Sequence, residues 1–175
     1  MKNVKLQIQS AYTLIEILVA ITIIGLLFNV GYANFRAFSQ RQALLGIIKQ
    51  IQGDLRLAQQ MALSGQKPQG PDALACQTNS LDGIQFGMTT SAPYLYRIRA
   101  LCGSGGTNTL PIIKEFDFPS DVTPAPVTFL PNPIIFKVLG NGTNIPAGGS
   151  VVITLTQVGT NNKATITVTS GGAIQ

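Results

Sequence analysis

SAYTLIEILVAITIIGLLFNVGY, residues 10–32, is the stretch of sequence that decides the fold. A helix needs about 20 largely apolar residues to cross a bilayer, and this stretch contains that number. One carboxylate, Glu16, lies near the start of this run, and the next charged residue is Arg36. A charged side chain inside a membrane span costs about 2.5–3.5 kcal/mol on insertion scales and therefore indicates a functional role. The sequence predicts a transmembrane helix over residues 12–32 in which Glu16 has a specific task.

The residues around this carboxylate, Ala11-Tyr12-Thr13-Leu14-Ile15-Glu16, resemble the processing motif of type IV prepilins and type II secretion pseudopilins. In that family a prepilin peptidase removes a short basic leader before an aromatic residue and N-methylates the new terminus. A glutamate then stands at the fifth mature position. The resemblance implies a leader over residues 1–11, cleavage between Ala11 and Tyr12, N-methylation of Tyr12 and an assembly role for Glu16. Alanine replaces the family's usual glycine before the cut, and tyrosine its usual phenylalanine after it.

The chemistry of Glu16 agrees with that role. In the first turn of a helix that starts after the cut, a carboxylate meets unpaired N–H groups and the positive end of the helix dipole. Between chains, the new amine of one Tyr12 could pair with Glu16 of a neighbour. A single buried polar group that sets register is a well-attested device. We therefore predict that Glu16 fixes the axial register of a filament.

The family resemblance also implies a location and a set of partners. The leader would stay in the cytoplasm while the rest of the chain lies outside the bacterial inner membrane, and the subunit would later enter an extracytoplasmic filament. The partners would be the prepilin peptidase, other pilin or pseudopilin subunits, the inner-membrane assembly platform, and membrane lipid before assembly. A secretory signal ending near Ala33 is the rival interpretation. The apolar run of this chain is longer than the apolar region of such signals, and Glu16 would lie inside that region.

The helical pattern continues beyond the apolar run. Apolar residues recur mostly at spacings of three and four, at Phe35, Phe38, Leu45, Ile48, Ile51, Leu55, Ala58 and Ala62. Gly65, with Pro68 just beyond it, is a stop signal. The sequence predicts an amphipathic helix over residues 33–66, continuous with the first one and ending near Ser64.

From residue 71 to residue 175 the apolar period changes to two, which is typical of strands. Candidate strands cover residues 93–102, 112–118, 126–130 and 133–139. A terminal hairpin is predicted from 151–156 and 164–169, with one apolar face and one threonine-rich face. The fold class is therefore α+β, with a long N-terminal helix packed on a small antiparallel β-rich head.

This layout of long helix, short strands and threonine-rich hairpin resembles the GspH/FimT group of minor pseudopilins and minor pilins. The resemblance implies a head of two small β-sheets packed on the helix. It also implies a low-copy structural subunit of a type IV pilus or a type II secretion pseudopilus.

The two cysteines, Cys76 and Cys102, indicate a disulfide more than a metal site. Two cysteines in a chain without histidine do not supply the four ligands that a structural zinc site needs. In an oxidising extracytoplasmic compartment a disulfide is the more plausible outcome, with two free buried thiols as the alternative. No metal or other cofactor is expected.

Composition disfavours enzymatic chemistry and gives only weak support to nucleic-acid binding. Charged residues make up 11% of the chain and histidine is absent, so groups for acid–base catalysis are few. A DNA-binding minor pilin for natural transformation is the alternative function. Its candidate patch is Arg97, Arg99 and Lys114, but three cations predict only weak, salt-dependent phosphate binding. A solvated strand face is the preferred interpretation of that patch.

Overall fold

A computed structural model describes residues 13–70, 73–89, 91–103, 111–124, 131–160 and 162–175. The chain divides into two compact units, Met1–Arg41 and Gln42–Gln175, and helix α1, Leu14–Ser64, contributes to both. The elements that follow α1 are α2 (Leu74–Thr78), β1 (Leu81–Met88), β2 (Leu95–Cys102), β3 (Ile112–Asp117), β4 (Val122–Pro124), β5 (Ile134–Lys137), β6 (Ser150–Gln157) and β7 (Lys163–Thr169). The predicted α+β class, with an N-terminal helix and antiparallel sheets, is confirmed.

Helix α1 has 51 residues and ends as its sequence predicts. Gly65 adopts a φ of 64°, the left-handed conformation that glycine adopts without steric cost. Its N–H donates to the carbonyl of Ala62 at 3.2 Å, and the N–H of Gln66 donates to the carbonyl of Met61 at 3.1 Å. These two bonds form a Schellman motif, which satisfies carbonyl groups that the end of a helix otherwise leaves unpaired.

The strands form two antiparallel sheets. A four-stranded sheet has the order β3-β2-β1-β5, and a three-stranded sheet has the order β4-β6-β7. The predicted strands at 93–102, 112–118 and 133–139 are present as β2, β3 and β5, and the terminal hairpin as β6 and β7. The predicted strand at 126–130 lies outside the described residues. Strands β1 and β4 and helix α2 were not predicted.

Within the second unit, α1 contributes one apolar face to a core shared with both sheets. Its buried residues are Leu44, Ile47, Ile48, Ile51, Leu55, Ala58 and Ala62. Burial of each leucine or isoleucine side chain is worth about 1.5–3 kcal/mol. Of the predicted stripe, five residues are buried in this core and three are exposed. The buried ones are Ile48, Ile51, Leu55, Ala58 and Ala62, and the exposed ones are Phe35, Phe38 and Leu45. Among the described side chains of α1, the buried face starts at Leu44.

The cysteine pair joins α2 to the end of β2. Cys76 and Cys102 form a disulfide with their Cα atoms 5.1 Å apart. Both residues are buried against the apolar core. The bond ties the segment that follows α1 to the four-stranded sheet.

Among the residues that the structure describes, no helix combines the length and apolar character that crossing a membrane requires. The transmembrane segment predicted over residues 12–32 is therefore not confirmed.

Candidate functional site

The candidate assembly site lies at the start of α1. Ala11 and Tyr12, the predicted cleavage and methylation residues, lie outside the described residues. Helix α1 begins at Leu14 and has Glu16 in its first turn. The N–H of Glu16 donates to the Thr13 carbonyl at 3.1 Å and also lies 3.4 Å from the Thr13 Oγ1 hydroxyl. The side chain of Thr13 therefore caps the helix.

Sequence reasoning missed this cap, although the pattern that encodes it is visible. Thr13-Leu14-Ile15-Glu16 has the threonine and glutamate spacing of a capping box, in which residue N3 is acidic. The cap places Glu16 where the helix dipole favours a negative charge. Helix start and carboxylate position are thus set by the same four residues.

The Glu16 side chain is exposed and carries no ion pair to the described part of the chain. Its carboxylate is consequently available to a group from another molecule or from the N-terminus. This geometry is compatible with the predicted role of Glu16.

The described side chains from Leu14 to Phe28 form an apolar surface around α1. Its large residues have exposed fractions from 47% at Val19 to 82% at Leu14. They are Leu14, Ile15, Ile17, Leu18, Val19, Ile21, Ile23, Ile24, Leu26, Leu27 and Phe28. A contiguous exposed apolar patch on a protein marks a site of contact with other proteins or with lipid.

A second polar group connects α1 to the four-stranded sheet inside the second unit. Asp54 is 6% exposed and lies on the apolar face of α1. One of its oxygens accepts a hydrogen bond from the Tyr96 hydroxyl at 2.5 Å, and the other accepts one from Lys114 Nζ at 2.7 Å. The sequence signal for this contact is Asp54 itself, a single acidic residue on the apolar face of the helix, but sequence reasoning did not use it.

Burial raises the pKa of the Tyr96 phenol above its ordinary value, and the hydrogen bond to Asp54 and the charge of its carboxylate raise it further. Deprotonation is disfavoured because it would place two negative charges side by side in the core. Tyr96 therefore remains the donor in this pair over the physiological pH range.

This arrangement predicts a loss of stability at alkaline pH. Because the folded-state pKa of Tyr96 lies above the unfolded value, stability is retained below about pH 10 and falls above it by about 1.4 kcal/mol per pH unit. We expect Tyr96→Phe to remove this part of the slope. Urea unfolding of both proteins over about pH 9–11 measures the difference. Parallel slopes for the two proteins would contradict the prediction.

We expect Asp54→Asn to lower the free energy of unfolding by about 2 kcal/mol, since hydrogen bonds to a charged group are worth about 1.5–3 kcal/mol. Because Lys114 is partly exposed, solvent screening reduces the part of this free energy that its ion pair with Asp54 contributes. Denaturant unfolding checks the value. The control is Asp117→Asn, which removes an exposed aspartate from β3 and should change stability by less than about 0.5 kcal/mol. Equal effects of the two substitutions would argue against the buried pair.

The three predicted nucleic-acid residues do not form one patch. Arg97 and Arg99 share one face of β2, and Arg97 pairs with Glu115 of β3. Lys114 lies opposite Ile98 in the sheet and reaches Asp54 on the side that faces α1. Two of the three cations are therefore neutralised by carboxylates, and the third lies on the other face of the sheet from Lys114.

Comparison with known proteins identifies the N-terminal segment. A family model described as the prokaryotic N-terminal methylation motif matches residues 7–28. No curated protein and no solved structure gives a match to the chain. The matched residues include the predicted cleavage site, Glu16 and the whole apolar surface of α1 from Leu14 to Phe28. This motif, followed by a long helix and a β-rich head, points to the type IV pilin and pseudopilin family.

Proposed function

We propose that this chain is a structural subunit, a minor pilin or pseudopilin, of a type IV pilus or a type II secretion pseudopilus. The observation that carries the proposal is the methylation motif at residues 7–28, which runs into a helix whose apolar side chains are exposed. A helix that exposes this much apolar surface requires other molecules to cover it.

In this proposal, prepilin peptidase cuts between Ala11 and Tyr12 and methylates the amine of Tyr12. The amine of one subunit then pairs with Glu16 of its neighbour while the apolar surface of α1 packs against neighbouring helices. Support comes from Glu16, which is exposed in the first helical turn without an ion-pair partner among the described residues. The pairing would neutralise both charges inside the filament and fix the axial register.

The head supports assignment to a GspH/FimT-like minor subunit. Two small antiparallel sheets share one core with the second half of α1. The buried Asp54 pair and the disulfide hold this unit together. Such a head suits a structural subunit whose helix is the part that assembles.

The proposal includes a location and further partners. Before assembly the apolar surface of α1 contacts lipid of the bacterial inner membrane, with the head outside and the assembly platform as a partner. After assembly the chain belongs to an extracytoplasmic filament. The role is structural and not enzymatic.

The test is to follow the chain into the filament. Filaments are sheared from cells that express prepilin peptidase and from cells that lack it, and the chain is detected by immunoblot in both fractions. We expect the chain in the filament fraction only when the peptidase is present. Equal recovery from both strains, or absence from the filaments of both, would contradict the proposal.

A further inference from the structure

A cavity of about 260 Å³ lies on the outer face of the four-stranded sheet. It is lined by Gln85, Gly87, Met88, Thr89, Leu95, Arg97, Arg99, Asn132 and Pro133. The lining contains two arginines and no acidic residue. Its volume is below the roughly 300–1,000 Å³ of ordinary small-molecule pockets, so it suits one side chain or one terminal group.

The walls of this cavity are held in place by bonds of their own. The Asn132 side chain accepts from the N–H of Met88 at 3.3 Å and donates to the carbonyl of Met88 at 3.0 Å. The Thr89 hydroxyl accepts from the N–H of Leu95 at 2.8 Å. Because these polar groups are occupied, they shape the cavity without being its main binding groups.

The groups that remain for a ligand are Arg99 and Gln85. Arg97 is paired with Glu115, which lies outside the lining. Arg99 Nε is buried and has no hydrogen-bond partner in the described part of the chain. Gln85 is 9% exposed and lies opposite Arg99 in the sheet. A buried unpaired donor costs free energy that an acceptor in the cavity would recover.

We propose that this cavity binds a carboxylate of a partner polypeptide, with Arg99 as the charged donor and Gln85 as the neutral one. A carboxylate has two oxygens that accept hydrogen bonds and is the ordinary ligand of a guanidinium group. The carboxylate belongs either to an aspartate or glutamate side chain or to a chain terminus. The partner would thereby contact the sheet face that does not pack on α1.

The charge distribution favours a carboxylate over a nucleic acid. A phosphate backbone is a line of charges, and its binding strength depends on the number of cations it meets. Here Arg97 and Lys114 already have carboxylate partners, so one guanidinium remains. One cation inside a small cavity matches one anionic group.

Gly87 keeps the cavity open and provides a second way to test it. A Cβ atom at this position would lie 3.4 Å from the Cβ of Pro133 and 3.9 Å from Oδ1 of Asn132, both in the cavity wall. These are ordinary contact distances, so Gly87→Ala narrows the cavity without a clash. This variant leaves both arginines in place.

The experiment is an NMR titration of the full-length, isotope-labelled chain in a mild non-ionic detergent. One probe is an acetylated and amidated Gly-Glu-Gly peptide, and a second is an acetylated Gly-Gly-Gly peptide with a free carboxyl terminus. The matched neutral probe replaces glutamate with glutamine. We expect saturable shifts of the Gly87 and Thr89 amides with at least one carboxylate probe, and binding of the neutral probe weaker by about tenfold.

The variants separate this site from general charge effects. Arg99→Met should weaken carboxylate binding by about tenfold or more, because it removes the charged donor and keeps an unbranched side chain. Gly87→Ala should weaken it by about threefold, because one methyl group enters the cavity. Arg56→Met, which removes an exposed cation from α1, should leave binding unchanged. If Arg99→Met does not fold, the effect of Gly87→Ala on carboxylate binding tests the proposal.

Three results would overturn the proposal. The first is the absence of shifts with both carboxylate probes. The second is binding of the glutamine peptide that is as tight as that of the carboxylate probe that binds. The third is a short oligothymidine that shifts the Gly87 and Thr89 amides when neither carboxylate probe does, because the cavity would then recognise nucleic acid.

Discussion

Glu16→Ala is expected to leave cleavage of the precursor intact and to reduce incorporation into filaments by about tenfold or more, since each tenfold corresponds to about 1.4 kcal/mol. The substitution removes the carboxylate that we pair with the amine of a neighbouring Tyr12. That amine would then be buried among apolar helices without a partner, which is strongly unfavourable. Immunoblots of sheared filaments and of membranes measure incorporation and processing separately.

Two further variants isolate the charge of Glu16 from its shape and from general acidity. Glu16→Gln keeps the size of the side chain. If the charge is required, this variant should reduce incorporation into filaments as much as Glu16→Ala does. Asp121→Ala removes an exposed carboxylate from the turn before β4 and should assemble normally. Normal incorporation of Glu16→Ala would refute the role given to this carboxylate. A failure of cleavage would move that role from assembly to processing.

Removal of the disulfide has the second large expected effect. Cys76 and Cys102 are separated by 26 positions, and closing a loop of that length lowers the entropy of the unfolded chain. The chain-entropy model gives a stabilisation of about 3.5 kcal/mol, so the double variant Cys76→Ser, Cys102→Ser should unfold at a clearly lower denaturant concentration. Urea unfolding followed by circular dichroism measures the change.

The reduced wild-type protein is the matched control for this variant. It contains the same open loop without a substitution, and its unfolding midpoint should agree with that of the double variant. Unchanged midpoints in both proteins would show that the bond adds nothing to stability. A lower midpoint in the variant alone would attribute the effect to the two serine side chains in the core.

The long helix and the terminal hairpin could be predicted because their signals are local. Gly65 ends α1 through its own conformation, and the hairpin follows from the alternation of apolar and threonine residues, which only Val152 interrupts. Strand β1 lacks such a signal. It lies between β2 and β5, and Gly83 and Gly87 interrupt its pattern. At Gly83 a side chain would meet the carbonyl oxygen of Phe136 at 2.7 Å, so glycine is required by the neighbouring strand.

The polar contacts of the head could not be predicted, because they depend on how distant elements meet. Asp54 and Tyr96 are 42 positions apart, and their contact requires both the helix face and the strand register. The placement of Lys114 could not be predicted from the local sequence either. Its strand could be predicted, but only the pairing of β3 with β2 puts Lys114 on the α1 side and Glu115 beside Arg97. The processing motif is different, because its chemistry is contained in consecutive residues.

The most direct test is the N-terminus of the mature protein, determined by mass spectrometry on the chain purified from its native membranes. The account predicts a chain that begins at Tyr12 with a methylated amine. A chain that begins at Met1, or one that begins near Asn34, would contradict processing by prepilin peptidase and remove the main support for assembly into a filament.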